Sequence, residues 1–106
     1  MKTKCILIKL KPDSIDRVTE WANTLNQRSG EVFETLKNEG VCLESAFLAH
    51  INDNDYLVYV MRAEDFDKAK AVTKMSTSLI DEYHRKFKVD TWLERTELTN
   101  LIDFSM

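Results

Sequence analysis

Four polar residues at strand positions of the sequence have side chains that transfer protons or hold polar ligands: Lys9, Glu44, His50 and Tyr59. They comprise an ammonium group, a carboxylate, a phenol and a histidine, the side-chain type that exchanges protons most readily near neutral pH. We predict that His50, Tyr59 and Glu44 are catalytic and that Lys9 binds a ligand. Their placement predicts a small polar pocket between two subunits or near the edge of a sheet.

Each of these four residues also has an ordinary structural explanation. His50 and Lys9 end their strands and reach water, and Glu44 pairs with a lysine. Tyr59 packs in an interface with its hydroxyl group in water. Such groups serve structure as well as catalysis, so both explanations stay open.

A second predicted pocket lies between the helices and the sheet, where an apolar ligand would fit beside Trp21, Phe33, Met75 and Tyr83. Aromatic residues at helical spacing more often belong to the core, which is the alternative for this set. Together with Lys9, the predicted ligand-binding residues are Trp21 and Met61.

Other site chemistries lack the residues that they need. Asp81 and His84 stand three apart on a helix, but a zinc site needs more ligands at defined spacing, so we expect no metal and no cofactor. The cationic run from His84 to Lys88 is interpreted as a solvated helix end, with phosphate binding as the alternative. Two glycines cannot build a phosphate-cradling loop. The first strand has no aromatic residue and the net charge is −3, which argues against nucleic acid as a partner.

The composition is that of one globular domain covering residues 1–106, with 43% apolar residues. Cys5 and Cys42 fall in apolar strand patterns and are expected to be small buried thiols in a reducing compartment. The N-terminus does not have the pattern of a signal peptide, and no apolar run approaches the roughly 20 residues of a membrane span. We therefore expect a cytoplasmic protein without a membrane partner.

The first half of the chain predicts one strand and one long helix. The strand covers Thr3–Leu10 and ends before the single proline, which cannot donate to a ladder. A helix from about Ser14 to Asn38 follows from apolar residues at alternating steps of three and four. Gly30 predicts a kink or break nearby, and Gly40 ends the helix in the left-handed conformation.

The second half predicts a hairpin, an interrupted helix and a final strand. Strands Val41–His50 and Tyr56–Met61 flank a polar turn at residues 52–55. A helical region opens at Asp65, and the "MSTS" segment interrupts it at residues 75–78. The last strand is predicted from alternating residues beyond an unassigned connector at 92–97, namely Leu98, Asn100, Ile102 and Phe104.

This order of elements predicts an α+β, ferredoxin-like βαββαβ fold, with a four-stranded antiparallel sheet and both helical regions on one face. The helix-facing set is predicted to be Ile6, Ile8, Leu10, Val58 and Val60. The opposite face would carry Cys5, Leu7, Lys9, Cys42, Glu44, Ala46, Leu48, His50, Leu57, Tyr59 and Met61. Because that face is also mostly apolar and no third layer covers it, we expect a homodimer whose sheets face each other.

Three segments, "IKLKPDSIDRVTEW", "VFETLKNEGV" and "YLVYVM", resemble the dimeric α+β barrel superfamily. Within it the chain is most similar to the L-rhamnose mutarotase group and to neighbouring small uncharacterised families, over roughly Lys2 to Glu64. The resemblance implies the fold and the dimer. The tyrosine and histidine that the mutarotases use, matched from Pro12, fall on Val18 and Ala22, which cannot transfer protons. The resemblance therefore does not carry the mutarotase activity to this chain.

Three functional hypotheses remain. The first is a small dimeric domain that binds or acts on a small organic molecule by cofactor-free acid–base chemistry. The second is a non-catalytic dimeric module that assembles or regulates a partner. The third, a cofactor-independent monooxygenase-like enzyme, follows from the superfamily resemblance alone.

Overall fold

Four strands and four helices make up the computed structural model, which describes residues 1–106. The strands are β1 (Lys2–Leu10), β2 (Val41–Ile51), β3 (Asn54–Ala63) and β4 (Trp92–Glu97). The helices are α1 (Ile15–Gln27), α2 (Ser29–Glu39), α3 (Phe66–Met75) and α4 (Leu79–Thr91). All strand pairs are antiparallel, and the spatial order β2-β3-β1-β4 is that of a ferredoxin-like sheet. The predicted fold class is confirmed.

The long helix predicted for the first half is broken, as expected, into α1 and α2. Arg28 leaves the helical conformation between them, at φ −109° and ψ 34°. Serine and glycine at the start of α2 favour helix poorly, which places the break at this point. Gly40 then ends α2 at φ 72°, and its N–H is bonded to carbonyl groups of the last turn.

The predicted interruption by the "MSTS" segment separates α3 from α4. Ser76 has an extended backbone, and the Ser78 hydroxyl accepts a hydrogen bond from the N–H of Asp81 to cap α4. The turn between β2 and β3 lies where it is predicted but is shorter, because the strands continue to Ile51 and begin again at Asn54. Asn52 and Asp53 adopt positive φ angles of 50° and 62°, which these two residue types tolerate better than most.

The prediction for the last strand is wrong. β4 covers Trp92–Glu97, directly after α4, and pairs along β1. Residues 98–106 form no regular element, and Phe104 is 90% exposed. β4 is an edge strand whose sequence, WLERTE, is mostly polar, so it lacks the apolar alternation by which a strand is predicted. The alternating segment that follows stays outside the sheet.

The predicted face of β1 is confirmed, because Ile6, Ile8 and Leu10 are buried beneath the helices. The predicted faces of β2 and β3 are both wrong, because the sets assigned to the uncovered face pair with each other on the helix side. Tyr59 lies opposite Ile6 in the ladder, and Leu57 lies opposite Ile8. Residues directly opposite each other in a ladder share a face, so Leu57 and Tyr59 point to the helices.

The other face of the sheet, called the open face below, has no helix over it. It carries Val58, with Leu7 opposite it on β1 and Phe47 opposite it on β2. Val60 follows two residues later, also on the open face. Cys42, which was expected to be buried, is exposed near the start of β2, where a bulge between Val41 and Leu43 leaves it out of the ladder.

The core lies between the sheet and α1 and α4. Trp21 from α1 stacks on Phe87 from α4, with ring centroids 4.3 Å apart and planes 5° from parallel. Phe33 is 69% exposed and Met75 83% exposed, and neither lines the space between the helices and the sheet, which corrects the prediction that they flank a pocket there. None of the four helices combines the length and the apolar composition needed to cross a bilayer.

Candidate functional site

A partly buried hydrogen bond between Tyr59 and Glu44 lies on the helix side of the sheet. Tyr59 sits near the middle of β3 and is only 4% exposed. Its hydroxyl donates to Glu44 Oε1 over 2.6 Å, from β3 to the neighbouring strand β2. Burial raises the pKa of Tyr59 well above its usual value, so the phenol keeps its proton and acts as a donor.

Burial also raises the pKa of Glu44 above its ordinary value. The hydrogen bond from Tyr59 and the nearby ammonium of Lys88 oppose that shift, because both stabilise the carboxylate. The net shift of the pKa is upward, which makes the Glu44 carboxylate a stronger base than that of an exposed glutamate.

His84 is the second proton-handling group, and Trp21 determines which of its nitrogens carries the proton. Trp21 Nε1 lies 3.1 Å from His84 Nδ1. An indole N–H can only donate, so Nδ1 accepts and the imidazole proton is placed on Nε2. Burial, aided by the positive charge of Lys88, lowers the pKa of His84 to about 4. His84 is therefore a neutral hydrogen-bond donor through Nε2 at physiological pH.

These groups line a cavity of about 690 Å³ between the helix layer and the sheet, called the helix–sheet cavity below. Glu44, Tyr59 and His84 contribute to its wall, and the rings of Tyr59 and His84 have centroids 6.3 Å apart. An outer groove of about 700 Å³ along α2, α3 and α4 shares Glu39 and Asp81 with it. Both volumes fall within the range of ~300–1,000 Å³ that is typical of small-molecule sites.

Charged groups of both signs face the helix–sheet cavity. Glu39, at the end of α2, has a pKa raised to about 7, mainly because it is partly buried and also because Asp81 and Glu44 are nearby. Lys88, one helical turn after His84, has a pKa lowered chiefly by burial. The cavity thus holds two carboxyl groups that protonate more easily than usual, a neutral histidine and an ammonium group.

Some of the predicted site residues meet in this cavity. Glu44 and Tyr59 are hydrogen-bonded to each other, and Met61 lines the wall beside them. Trp21 lies behind the wall and reaches it through His84. The roles assigned to these residues remain predictions.

Lys9 and His50 do not join them, which corrects the shared site predicted from the sequence. Lys9 lies opposite Tyr56 in the ladder, on the open face of the sheet. The His50 side chain is 65% exposed near the tip of the β2–β3 hairpin, with Nδ1 2.7 Å from Asp55 Oδ1. The error in the sheet face separates Lys9 from Glu44 and Tyr59. His50, opposite Asp55, keeps their face but lies too close to the hairpin tip to reach the cavity.

Sequence reasoning missed Glu39, His84 and Lys88 as members of the site. His84 and Lys88 are four apart on a helix whose other inward positions, Ile80 and Phe87, are buried. The available signal in the sequence is that these polar residues lie at the edge of a buried helical stripe, where side chains can line a cavity. They were instead interpreted as cations at a solvated helix end.

The opposite pKa shifts of His84 and Glu39 predict compensating effects of pH on stability. As pH falls from about 6.5 to 4, the unfolded chain protonates its histidine first, so the free energy of unfolding falls. As pH rises from about 4.5 to 7, the unfolded chain ionises its glutamate first, so the free energy of unfolding also falls. The His84 contribution is about 3 kcal/mol at most. That of Glu39 is smaller, because its carboxyl group is partly solvated.

Urea unfolding between about pH 4 and 7 measures both contributions separately. His84→Asn keeps an acceptor for Trp21 and removes the titration, so its stability relative to the unmodified protein should rise as pH falls. Glu39→Gln should become relatively more stable as pH rises. Parallel curves for all three proteins would contradict the shifts.

Comparison with known proteins adds the family and the fold. The sequence model of a Family of unknown function, DUF6176, matches residues 1–105. The chain belongs to this family. No curated protein matches its sequence.

Three solved structures similar to this chain have the same fold. A putative antibiotic biosynthesis monooxygenase from Nitrosomonas europaea is 12% identical, with a TM-score of 0.59 over 92% of this chain and 94% of that one. An L-rhamnose mutarotase from Formosa agariphila is 16% identical, with a TM-score of 0.60 over 100% and 99%. A de novo designed protein with a ferredoxin fold is 18% identical, with a TM-score of 0.58 over 100% and 93%. These similarities confirm the resemblance to the ferredoxin-like, α+β barrel proteins at the level of fold.

Proposed function

We propose that the protein binds a small polar organic molecule in the helix–sheet cavity and acts on it by proton transfer without a cofactor. The observation that carries this proposal is the partly buried Tyr59–Glu44 hydrogen bond beside the neutral imidazole of His84. A cavity of ligand size that gathers several groups with shifted pKa values is the usual form of an active site.

The roles follow from the protonation state of each group. Glu44 is the base: its raised pKa makes it a stronger proton acceptor than an exposed glutamate. Tyr59 donates to the Glu44 carboxylate and holds it in position. His84 donates through Nε2 to a substrate oxygen and stabilises negative charge that develops there. The proton taken by Glu44 returns to the product, so the reaction consumes no oxidant or reductant.

A thermal-shift screen of small polar metabolites on the purified protein tests this function. A ligand at 100 times its Kd stabilises the folded protein by about 2.7 kcal/mol, which is well resolved as a rise in Tm. We expect a hit whose stabilising effect is reduced in His84→Asn. A flat screen would favour the alternative, a non-catalytic assembly or regulatory module. Oxygen consumption coupled to turnover would favour the monooxygenase-like alternative.

The protein is also proposed to function as a homodimer through the open face of the sheet. Val58 lies in the middle of this face, and Phe47 beside it is 60% exposed. The segment 98–106 adds exposed apolar side chains next to it and is held there by Arg62, which donates to the Ser105 hydroxyl. Soluble monomers rarely expose a contiguous apolar patch of this kind, which supports a second copy as its cover.

A further inference from the structure

Lys88 is a partly buried cation of the helix–sheet cavity that forms no ion pair. Its ammonium group lies 5.2 Å from the centroid of the Trp92 ring, and no carboxylate oxygen lies within 4 Å of it. Two other cations at the cavity have partners. Lys4 pairs with Glu97 over 3.5 Å, and Arg85 donates to two backbone carbonyl groups. A partly buried ammonium without a partner is costly, and a bound anion would remove that cost.

Arg95 is a second unpaired cation on the same side of the cavity. It lies opposite Ile8 in the ladder between β1 and β4 and lines the cavity with Lys88. The His84 Nε2–H is the third free donor on this side. Glu44, in the same cavity, supplies the proton acceptor beside Tyr59. One cavity therefore combines cationic donors with a base.

We propose that the ligand is a small organic acid whose carboxylate binds between Lys88 and Arg95, with a carbonyl or hydroxyl oxygen on the next carbon accepting from His84 Nε2. This inference rests on the proposed function and gives its substrate class. A single negative charge suits the site better than a dianion, because Lys88 stands in the last turn of α4, where the helix dipole is negative. A guanidinium and an ammonium group together match the two oxygens of a carboxylate.

For a 2-oxo acid the step balances without any other reactant. Glu44 takes a proton from the carbon beyond the carbonyl, and the electron pair of that C–H bond moves toward the carbonyl carbon. The carbonyl oxygen becomes an enolate oxygen, which the His84 Nε2–H stabilises. Return of the proton from Glu44 regenerates the acid.

Calorimetric titration with 2-oxobutyrate, its neutral amide and inorganic phosphate tests the class of ligand. We expect the acid to bind at least about tenfold more tightly than the amide or phosphate, through its charge-assisted contacts. Lys88→Gln should abolish that preference. Lys86→Gln, an exposed lysine of the same helix outside the cavity, should leave it unchanged.

Proton exchange at the carbon beyond the carbonyl, followed by NMR in deuterated water, separates the two proposals. Equal binding of acid and amide, no binding of the acid, or tighter binding of phosphate would overturn the organic-acid inference. If the neutral amide of 2-oxobutyrate then exchanges its proton, and Glu44→Gln abolishes that exchange, the proposed function is still supported. Binding of the acid through Lys88 without any exchange would support the ligand class and contradict the proposed catalysis.

Discussion

Glu44→Gln is expected to lose proton-transfer activity by a factor of about 10²–10⁴ while the protein stays folded. Glutamine has nearly the shape of glutamate, and its amide oxygen can still accept the hydrogen bond from Tyr59. It cannot take up a proton at neutral pH. The loss should appear in kcat/KM for a substrate found by screening, with the binding of that substrate changed much less.

Two further variants determine whether the loss belongs to this carboxyl group. Glu82→Gln alters an exposed glutamate on α4 outside the cavity and should leave activity unchanged. Tyr59→Phe removes the hydrogen bond that lowers the pKa of Glu44, so the rising limb of the pH–rate profile should move to higher pH. Full activity in Glu44→Gln would exclude Glu44 as the base.

Val58→Lys is expected to convert a dimer into a monomer. Val58 lies at the centre of the open face, with Leu7 on one side and Phe47 on the other. In a face-to-face pair of sheets each lysine would be buried against apolar side chains without a partner. An uncompensated buried charge costs ~3–5 kcal/mol. A monomer can instead extend the lysine into water, so folding should be retained.

Sedimentation at micromolar concentration measures this change. The unmodified protein should sediment at about twice the chain mass of 12.4 kDa, and the variant at that mass. Phe33→Lys is the matched control, because Phe33 is an exposed apolar residue on the helix side. Sedimentation of the unmodified protein as a monomer would contradict the proposed dimer.

The sequence predicts the helices and their breaks well, because those features depend on local chemistry. Gly40 ends α2 because its own backbone adopts the left-handed conformation. Ser78 caps α4 because its hydroxyl accepts a hydrogen bond from an N–H group of the first turn. The two positive φ angles at Asn52 and Asp53 are likewise determined within the turn. Each of these signals lies within a few residues of the structure it specifies.

The face of β3 could not be predicted from its alternation, because both sets of side chains are apolar. Val58 and Val60 are as suitable for the core as Leu57 and Tyr59, and a slip of one residue exchanges the sets. The choice depends on which residues of β1 lie opposite. That register is a contact between segments some 50 residues apart in the sequence, and periodicity within one strand does not contain it.

The site itself depends on even longer contacts. Trp21 and His84 are 63 residues apart, and their hydrogen bond forms only when α1 and α4 pack side by side on the sheet. Tyr59 and Glu44 lie on the two strands of one hairpin, so the sequence alone can suggest that the phenol and the carboxylate meet. His50 has suitable chemistry, but its position beside the hairpin turn leaves it in water.

The location of a bound ligand tests the central claim most directly. With the strongest hit from the metabolite screen, NMR spectra of the labelled protein should show the largest shift changes at Glu44, Tyr59, His84 and Lys88. His50 should be unaffected, since its side chain lies outside the cavity. Changes centred on His50, or on Phe47 and Val58 of the open face, would contradict a site between the helices and the sheet.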